Sequence, residues 1–475
     1  MINPCGGYAD KEGMAKKNKQ LAVSKFAQLV KAGVEERCLL SRMELEVEES
    51  KRRLGQKEMD KRLAELPPEN GRPKACPRCG RNARVRAKDL ERTFSAMSGT
   101  HTIRRNYHYC DACKAGFFPR DEFLGLPRQG EVSVEVDKRL ADFLMNDPFE
   151  TAERRWNFHY RHLKVSSNQF RNVAKRLGAK AEEANPELLQ AALCPPSPEA
   201  SDTIYFMSDG GMVPMRPDWA EVKLGIVFRH ESHLREDETT RGVISQARYV
   251  AQLGEQDAFV EQVSAALNVE KAAGARQVVY IADGAPENWN LATKACPGAT
   301  QILDWYHAVE NVMKCGKALL GEQNEAALAC WEVGAKVLLA QGQIEPLVKT
   351  LMEVIGPQTT EDELSALENL VRYVRNNQSR MKYDEFREKN LLIGSGPIES
   401  AQHHVIQIRM KRTGQHWSNR GARQMARMRA AYRTAGPEHF YDAIHWAYRE
   451  TVRQRSTLEN IALCRKPPKR RASNV

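Results

Sequence analysis

Two CxxC pairs limit what this chain can fold into more than any other feature. Cys76 and Cys79 sit in CPRCG, Cys110 and Cys113 in YCDACKAGFFP, with thirty residues between the pairs. Tetrahedral zinc takes four thiolates, and each CxxC knuckle brings two of them onto one metal. Between the knuckles, RTFSAM and THTIRRNYHY read as strands around a Ser-Gly turn. The pattern predicts a zinc ribbon over residues 67–130, its Zn²⁺ closed by four cysteines and therefore structural. A redox CxxC would sit in a βαβ unit, and neither pair does. His101 and His108 are rival donors, but four cysteines already fill the shell. The eleven cysteines of the chain then fit a metal site plus unpaired thiols in a reducing compartment.

The rest of the chain divides around that ribbon. Its 475 residues, 41% of them hydrophobic and 28% charged, suit a multidomain globular protein. Residues 20–66 carry apolar residues at helical spacing among many opposite charges, and PPENGRP stops them. This predicts a helical N-terminal arm over 1–66, either solvated or used for self-association. A helical region at 131–192 contains a plausible helix-turn-helix. PFETAERRWNFHYR is its first helix and SSNQFRNVAKRLG its second, capped by Ser166 or Ser167. Gln169, Arg171, Lys175 and Arg176 would face DNA if the second helix is a recognition helix. LCPPSPEASD (193–202) marks a boundary. No run of apolar residues is long enough for a membrane span, and the N-terminus has no apolar core of a secretory signal. A cytoplasmic protein is expected.

Beyond the boundary the pattern turns α/β. TIYFMSDGG and QVVYIADGAPENW each read as an apolar strand ending in Asp-Gly, at Asp209 and Asp283, where a glycine lets the chain turn away. WAEVKLGIVFRHE supplies one or two further strands and RYVAQL another; TQILDWYHAVENV passes from strand to helix through Asp304 and His307. Residues 313–390 read as an all-helical insertion between a first core segment (203–312) and a last one (391–450). The last segment opens with GSGPIES, where Glu399 falls in the first turn of a helix. That position favours a carboxylate electrostatically, and His403 lies one turn on. From 400 to 435 there is no Asp or Glu, but eight Arg or Lys residues, within a chain of net charge +11. Arg409, Lys411, Arg412, Arg420, Arg423 and Arg427 are read as a track for a phosphate backbone. A basic tail follows at 451–475. Asp209, Asp283 and Glu399 together would repel one another unless a cation neutralised them. Mg²⁺ or Mn²⁺, shared with substrate phosphates, is the natural partner for such a cluster.

These motifs, in this order, resemble a bacterial insertion-sequence transposase of the DDE class, closest to the Kra-type insertion-sequence family. The resemblance covers most of the chain: the zinc-ribbon region, strand-DGG, strand-ADG, LDWYH, the helical insertion, and GSGPIES followed by RMKRTGQHW. It implies an RNase H-like catalytic core interrupted by the insertion. It assigns the metal-holding acids to Asp209, Asp283 and Glu399, with Asp304 a rival for the second. Asp304 and His307 match the acid-or-Cys, two residues, His pattern that follows the second acid in related transposases, near the active site. The implied activity is DNA transposition: cleavage at element ends and strand transfer to target DNA, by an oligomer on paired double-stranded ends in the bacterial nucleoid. Two other readings remain: a zinc-ribbon and helix-turn-helix regulator with structural acids, and a metal-dependent nuclease without strand transfer.

Overall fold

The computed structural model describes residues 28 and 39–464, except 128–130, 196–200, 235–241, 272–274, 354 and 358. The start of the expected N-terminal arm, the middle of the Pro/Ser-rich boundary and the basic residues 465–475 lie outside the described residues. The architecture is multidomain α+β. Two compact units divide it, Met1–Asp137 and Lys138–Val475.

In the first unit, strands β1 (Lys74–Ala75), β2 (Asn82–Ala96), β3 (Gly99–Cys110) and β4 (Ala115–Phe117) form one antiparallel sheet in chain order. Ala96 pairs with Gly99, so Met97 and Ser98 alone make the β2–β3 turn. Two-residue turns of this kind match the twist of the strands they join. The helix Leu39–Ala64 is not merely solvated. It lies along β3, with Gln56 donating to the Thr100 carbonyl at 3.3 Å and Asp60 bonded to His101 at 2.6 Å. Leu63 packs with Phe94, Ala96, Ile103 and Leu126.

The second unit is built on a five-stranded sheet. Its strands are β5 (Thr203–Pro214), β6 (Trp219–Arg229), β9 (Arg248–Leu253), β10 (Gln277–Ala282) and β11 (Thr300–Leu303); β7 (His233–Leu234) and β8 (Val243–Ile244) pair as a separate small hairpin. The order is β11-β10-β5-β6-β9. β5, β10 and β11 are parallel, while β6 runs antiparallel to both β5 and β9. The apolar run Ile204–Met207 is buried completely, as expected for a central strand covered on both faces. Phe206 stacks on Tyr280 across β5 and β10 with ring centroids 4.8 Å apart.

One strand differs from the sequence reading and another takes the simpler of its two expected forms. WAEVKLGIVFR is one strand, followed by a single 3₁₀ turn at His230–Ser232. β5 does not end at Asp209 but continues to Pro214, and Asp209 pairs with Leu224 in mid-strand. Gly211 gives room rather than a turn: a Cβ there would lie 2.6 Å from Gln402 Oε1. At the second Asp-Gly the expectation of a turn holds, since Gly284 has φ +95° and the strand has already ended.

The helices Phe149–His159 and Ser167–Glu183 form the expected hairpin. Ser166, not Ser167, caps the second in a reciprocal capping box with Gln169. The turn is held by Trp156 donating to the Leu163 carbonyl at 2.7 Å and by Asn157 bonding Val165 twice. Phe170, Val173, Leu177 and Gly178 of that second helix are buried, and it packs on the helices Asn419–Ala435 and Phe440–Cys464. This helical region belongs to the same compact unit as the sheet. Between β11 and residue 390 the chain is helical, as expected, from Trp305–Leu320 through Glu325–Ala340, Ile344–Glu353 and Glu361–Asn377 to Tyr383–Glu388.

Candidate functional site

Asp209 stands on the central strand and Asp283 just past the end of its parallel neighbour. The β5–β10 register runs to Met207 opposite Ile281; two places further along, Asp209 and Asp283 are level. Glu399 arrives from the far side of the insertion on the helix Gly396–Ala401, which continues as a π-helical turn over Gln402–Gln407. Gln402 Nε2 donates to the Asp209 carbonyl at 2.9 Å, tying that helix to β5. π-Helical turns inside helices recur at functional sites.

Asp209 feels the other two acids. Burial pushes the Asp209 carboxyl above the usual range, and the charges of Asp283 and Glu399 push the same way. The Gly210 N–H and His307 oppose them. Asp283 Oδ1 accepts from the Ala285 N–H at 3.0 Å and from Asn288 Nδ2 at 2.7 Å, and the Tyr373 hydroxyl donates to the Asp283 carbonyl at 3.2 Å. Glu399 is exposed, and its Oε1 accepts from Ser395 Oγ at 2.9 Å.

Asp304 has another role. It is fully buried. Its Oδ2 accepts from the His307 N–H at 2.9 Å and bonds His307 Nδ1 at 2.7 Å, and its Oδ1 accepts from the Ser395 N–H at 2.6 Å. Its own N–H donates to the Ala282 carbonyl at 2.8 Å. A continuous path of hydrogen bonds thus runs from β10 through Asp304 and Ser395 to Glu399. Both Asp304 oxygens thus accept hydrogen bonds from the chain's own groups in a fully buried position. The bond to Asp304 raises the pKa of His307. His403 is exposed beside the His404 ring, 3.5 Å from Gln407.

The cysteines make a tighter cluster. Sγ atoms of Cys76, Cys79, Cys110 and Cys113 all lie within 4.8 Å of one another, with Cys76–Cys113 at 3.9 Å and Cys79–Cys110 at 3.6 Å. A Zn–S bond of about 2.3 Å in a tetrahedron sets sulfur–sulfur edges near ~3.8 Å, so the residues fit zinc. Each knuckle turns through a left-handed residue after its second cysteine, Gly80 at φ +70° and Lys114 at φ +49°. The backbone N–H of Arg78 points at Cys76 Sγ from 3.4 Å. His101 is held by Asp60 and Ser98 instead, and His108 lies buried against Phe117. Among the described residues this is the one group of three or more His, Cys, Asp or Glu whose ligand atoms are so close. Asp209, Asp283 and Glu399 therefore stand further apart than a single-ion cluster of that size.

A family model matches residues 72–446, taking in the four-cysteine sheet, the five-stranded sheet, the helices between Asp304 and residue 390, and Glu399. The chain belongs to the uncharacterised protein family UPF0236. A UPF0236 protein of Caldanaerobacter subterraneus subsp. tengcongensis is 24% identical over 240 residues, 49% of this chain and 47% of that protein. Another from the same organism is 21% identical over 359 residues, 74% of this chain and 69% of its own length. The chain thus spans about half the length of the first of these curated relatives.

In this UPF0236 chain the basic segment is only partly a surface. Arg409 is completely buried: its Nε donates to the Leu144 carbonyl at 2.9 Å, and burial with the charges of Arg429 and Arg412 lowers it to about 9. Arg423 pairs with Glu182 at 2.5 Å, and Arg427 donates twice to Gln252 Oε1, at 3.0 and 2.7 Å. Arg409 is thereby closed to a phosphate backbone, while Arg423 and Arg427 remain partly exposed and already donate to acceptors elsewhere in the fold. Lys411, Arg412 and Arg420 are exposed as expected, although Arg412 also donates to the Asn146 carbonyl at 3.1 Å. On the helix-turn-helix hairpin, Lys175 is exposed, whereas Gln169 closes the capping box and Arg171 pairs with Glu150.

Sequence reasoning passed over Ser395, Gln402, Asn288 and Tyr373. Ser395 and Gln402 stand four before and three after Glu399, which is helical spacing, so periodicity alone could have named them. Asn288 follows Asp283 in the first turns of the helix Pro286–Ala295. Tyr373 comes from deep inside the insertion, and nothing local marks it.

Proposed function

We propose that this protein is a DNA transposase of the DDE class, cutting at the ends of an insertion sequence and joining them to target DNA. The observation that carries the reading is the meeting of Asp209, Asp283 and Glu399, from two adjacent strands and a helix 116 positions later than Asp283, closely enough that the charges of Asp283 and Glu399 both push the Asp209 carboxyl upward. The sheet order, with one antiparallel strand beside the central β5, supports an RNase H-like core. Asp209, Asp283 and Glu399 would hold Mg²⁺ or Mn²⁺. Such ions take only one or two protein carboxylates each and fill their shells with water and phosphate oxygens, which suits three acids spread over a pair of ions. They would supply activation of the attacking oxygen and charge stabilisation at phosphorus. The chain's own part is to hold the three acids in place through Gln402, Ser395, Asp304 and Asn288.

Other features support the reading. Lys411, Arg412 and Arg420 offer cations to a phosphate backbone. Leu40, Met43, Val47 and Leu54 are exposed at three- and four-residue steps and larger multiples along the helix Leu39–Ala64, which supports self-association on paired ends. Among the described residues no helix is long and apolar enough to cross a membrane, in keeping with work on the nucleoid. One relative bears a name that joins many designations in a single organism, which fits a gene that spreads its own copies.

Asp209→Asn and Glu399→Gln test the proposal. Each should lower Mg²⁺-dependent cleavage of element-end DNA by at least ~10²-fold while leaving DNA binding without added Mg²⁺ intact. Unchanged cleavage in both variants sinks it, whereas binding to element ends with no Mg²⁺-dependent cleavage by the unaltered chain favours a DNA-binding regulator. Pre-cut ends that fail to join to a target, with cleavage intact, point instead to a nuclease.

A further inference from the structure

A groove of about 1100 Å³ opens beside the acid site, on a different side of the helix that carries Glu399. Pro397, Ser400 and His404 line it, but Glu399 and Gln402 do not. One short helical segment thus presents Gln402 to Asp209 and another side to this groove. Its opposite wall begins at Trp305 and Tyr306, directly between Asp304 and His307.

The lining has a definite chemistry. Among the described residues no Asp or Glu lines it, whereas Arg387 and Arg433 do, both exposed, together with His230 and His233. An anionic group is favoured there and a carboxylate-rich one is not. The Arg387 guanidinium lies over the Trp305 ring, 5.1 Å from its centroid. Tyr306 is 66% exposed, an aromatic face available for a flat partner. Gly394 makes room for that ring, since a Cβ there would approach it to 3.0 Å. Cations around an exposed aromatic are the means by which proteins hold unpaired nucleotides: the phosphate by charge, the base by stacking. The volume exceeds what one nucleotide needs, and ligand sites commonly span about 300–1,000 Å³.

We infer that this groove receives an unpaired nucleotide of the DNA strand being processed, its base on Tyr306 and its phosphate among Arg387, Arg433 and His404. This rests on the proposed DNA chemistry and adds to it: the substrate at the acids is a strand whose neighbouring nucleotide has left the duplex. Such a site gives the protein a way to fix the register of the strand without reading a base edge.

The test uses the full chain without added Mg²⁺ or Mn²⁺ and without chelator, so that no cleavage intervenes. Fluorescence anisotropy would follow a twelve-nucleotide single-stranded DNA and a blunt duplex of the same sequence, and 2-aminopurine placed mid-strand would report stacking. Tyr306→Ala and Arg387→Ala should each weaken single-strand binding by about 10-fold or more, with duplex binding changed far less, and Tyr306→Ala should abolish the 2-aminopurine quenching. Tyr306→Phe keeps the ring and should retain both signals, which separates lost stacking from misfolding. Unchanged single-strand binding in Tyr306→Ala overturns the inference, as does equal loss on duplex and single strand. Preference for an RNA oligonucleotide of the same sequence overturns the commitment to DNA. If cleavage requires Asp209 while Tyr306→Ala binds single strands normally, only this inference falls. If Asp209→Asn cleaves normally while Tyr306→Ala loses single-strand binding, the catalytic reading falls and the groove stands.

Discussion

The guanidinium of Arg429 shows how little a charge run says about exposure. It donates to the Val405 carbonyl at 2.9 Å, to the Met145 carbonyl at 2.8 Å, to Asn146 Oδ1 at 3.2 Å and to the His404 carbonyl. Arg409 and Arg412 reach Leu144 and Asn146 on the same helix end. Three cations therefore close the C-terminus of the helix Val134–Asn146, where its carbonyls lack partners and its dipole is negative. Arg429→Ala would strand several buried carbonyls and should cost about 3–5 kcal/mol in urea unfolding, whereas Arg420→Ala should stay within about 0.5 kcal/mol. Local sequence could not sort these arginines, because the helix end they close, Leu144–Asn146, lies more than 250 positions away. His307 makes a second residue-scale case. Its bond to Asp304 raises its pKa in the fold. The stabilisation from its charged form is thus complete below the ordinary histidine value near ~6.5 and fades as pH rises through the higher folded value. His307→Gln should flatten the pH dependence of unfolding across that window, and an unchanged slope would contradict the assignment.

At the scale of elements, the four-cysteine knuckles were readable from spacing because metal geometry dictates it. Both hairpins that carry them have few apolar residues of their own: Cys76, Ala83, Cys110 and Phe117 make the cluster around the sulfurs. So small a core would draw much of its stability from a metal held by the four cysteines. Chelation should therefore lower the melting temperature of the first unit and expose its thiols to a labelling reagent, while the second unit melts as before; metal analysis of the purified chain should find one zinc. The helix-turn-helix hairpin was equally legible in outline, from a capping box and an apolar period. Its packing was not. Gly178 lies so close to the helix Asn419–Ala435 that a Cβ would come 2.6 Å from Gln424, a contact that no stretch of twenty residues announces.

For the whole molecule, the strands of the sheet could be found one by one, since buried parallel strands are continuous apolar runs. Their order could not, because pairing between β5 and β10 joins residues more than seventy positions apart. The acids were legible as types: Asp209 and Asp283 after apolar runs, Glu399 alone before a basic segment. What places them is the β5–β10 register for Asp209 and Asp283, and, for Glu399, the bonds of Ser395 to Asp304 and of Gln402 to Asp209, which no motif reports. The bond of Ser395 to Asp304 has a further consequence. The helical insertion departs just after Asp304 and returns just before Ser395, so one buried carboxylate fastens both of its ends. A chain clasped at its neck can change length beyond the clasp at little thermodynamic cost, since doubling a closed loop adds only about 0.6 kcal/mol. Lineages built on this plan are free to enlarge, trim or replace the insertion as a cassette, so long as the carboxylate at its neck and the Tyr373 contact to the Asp283 carbonyl are preserved or substituted.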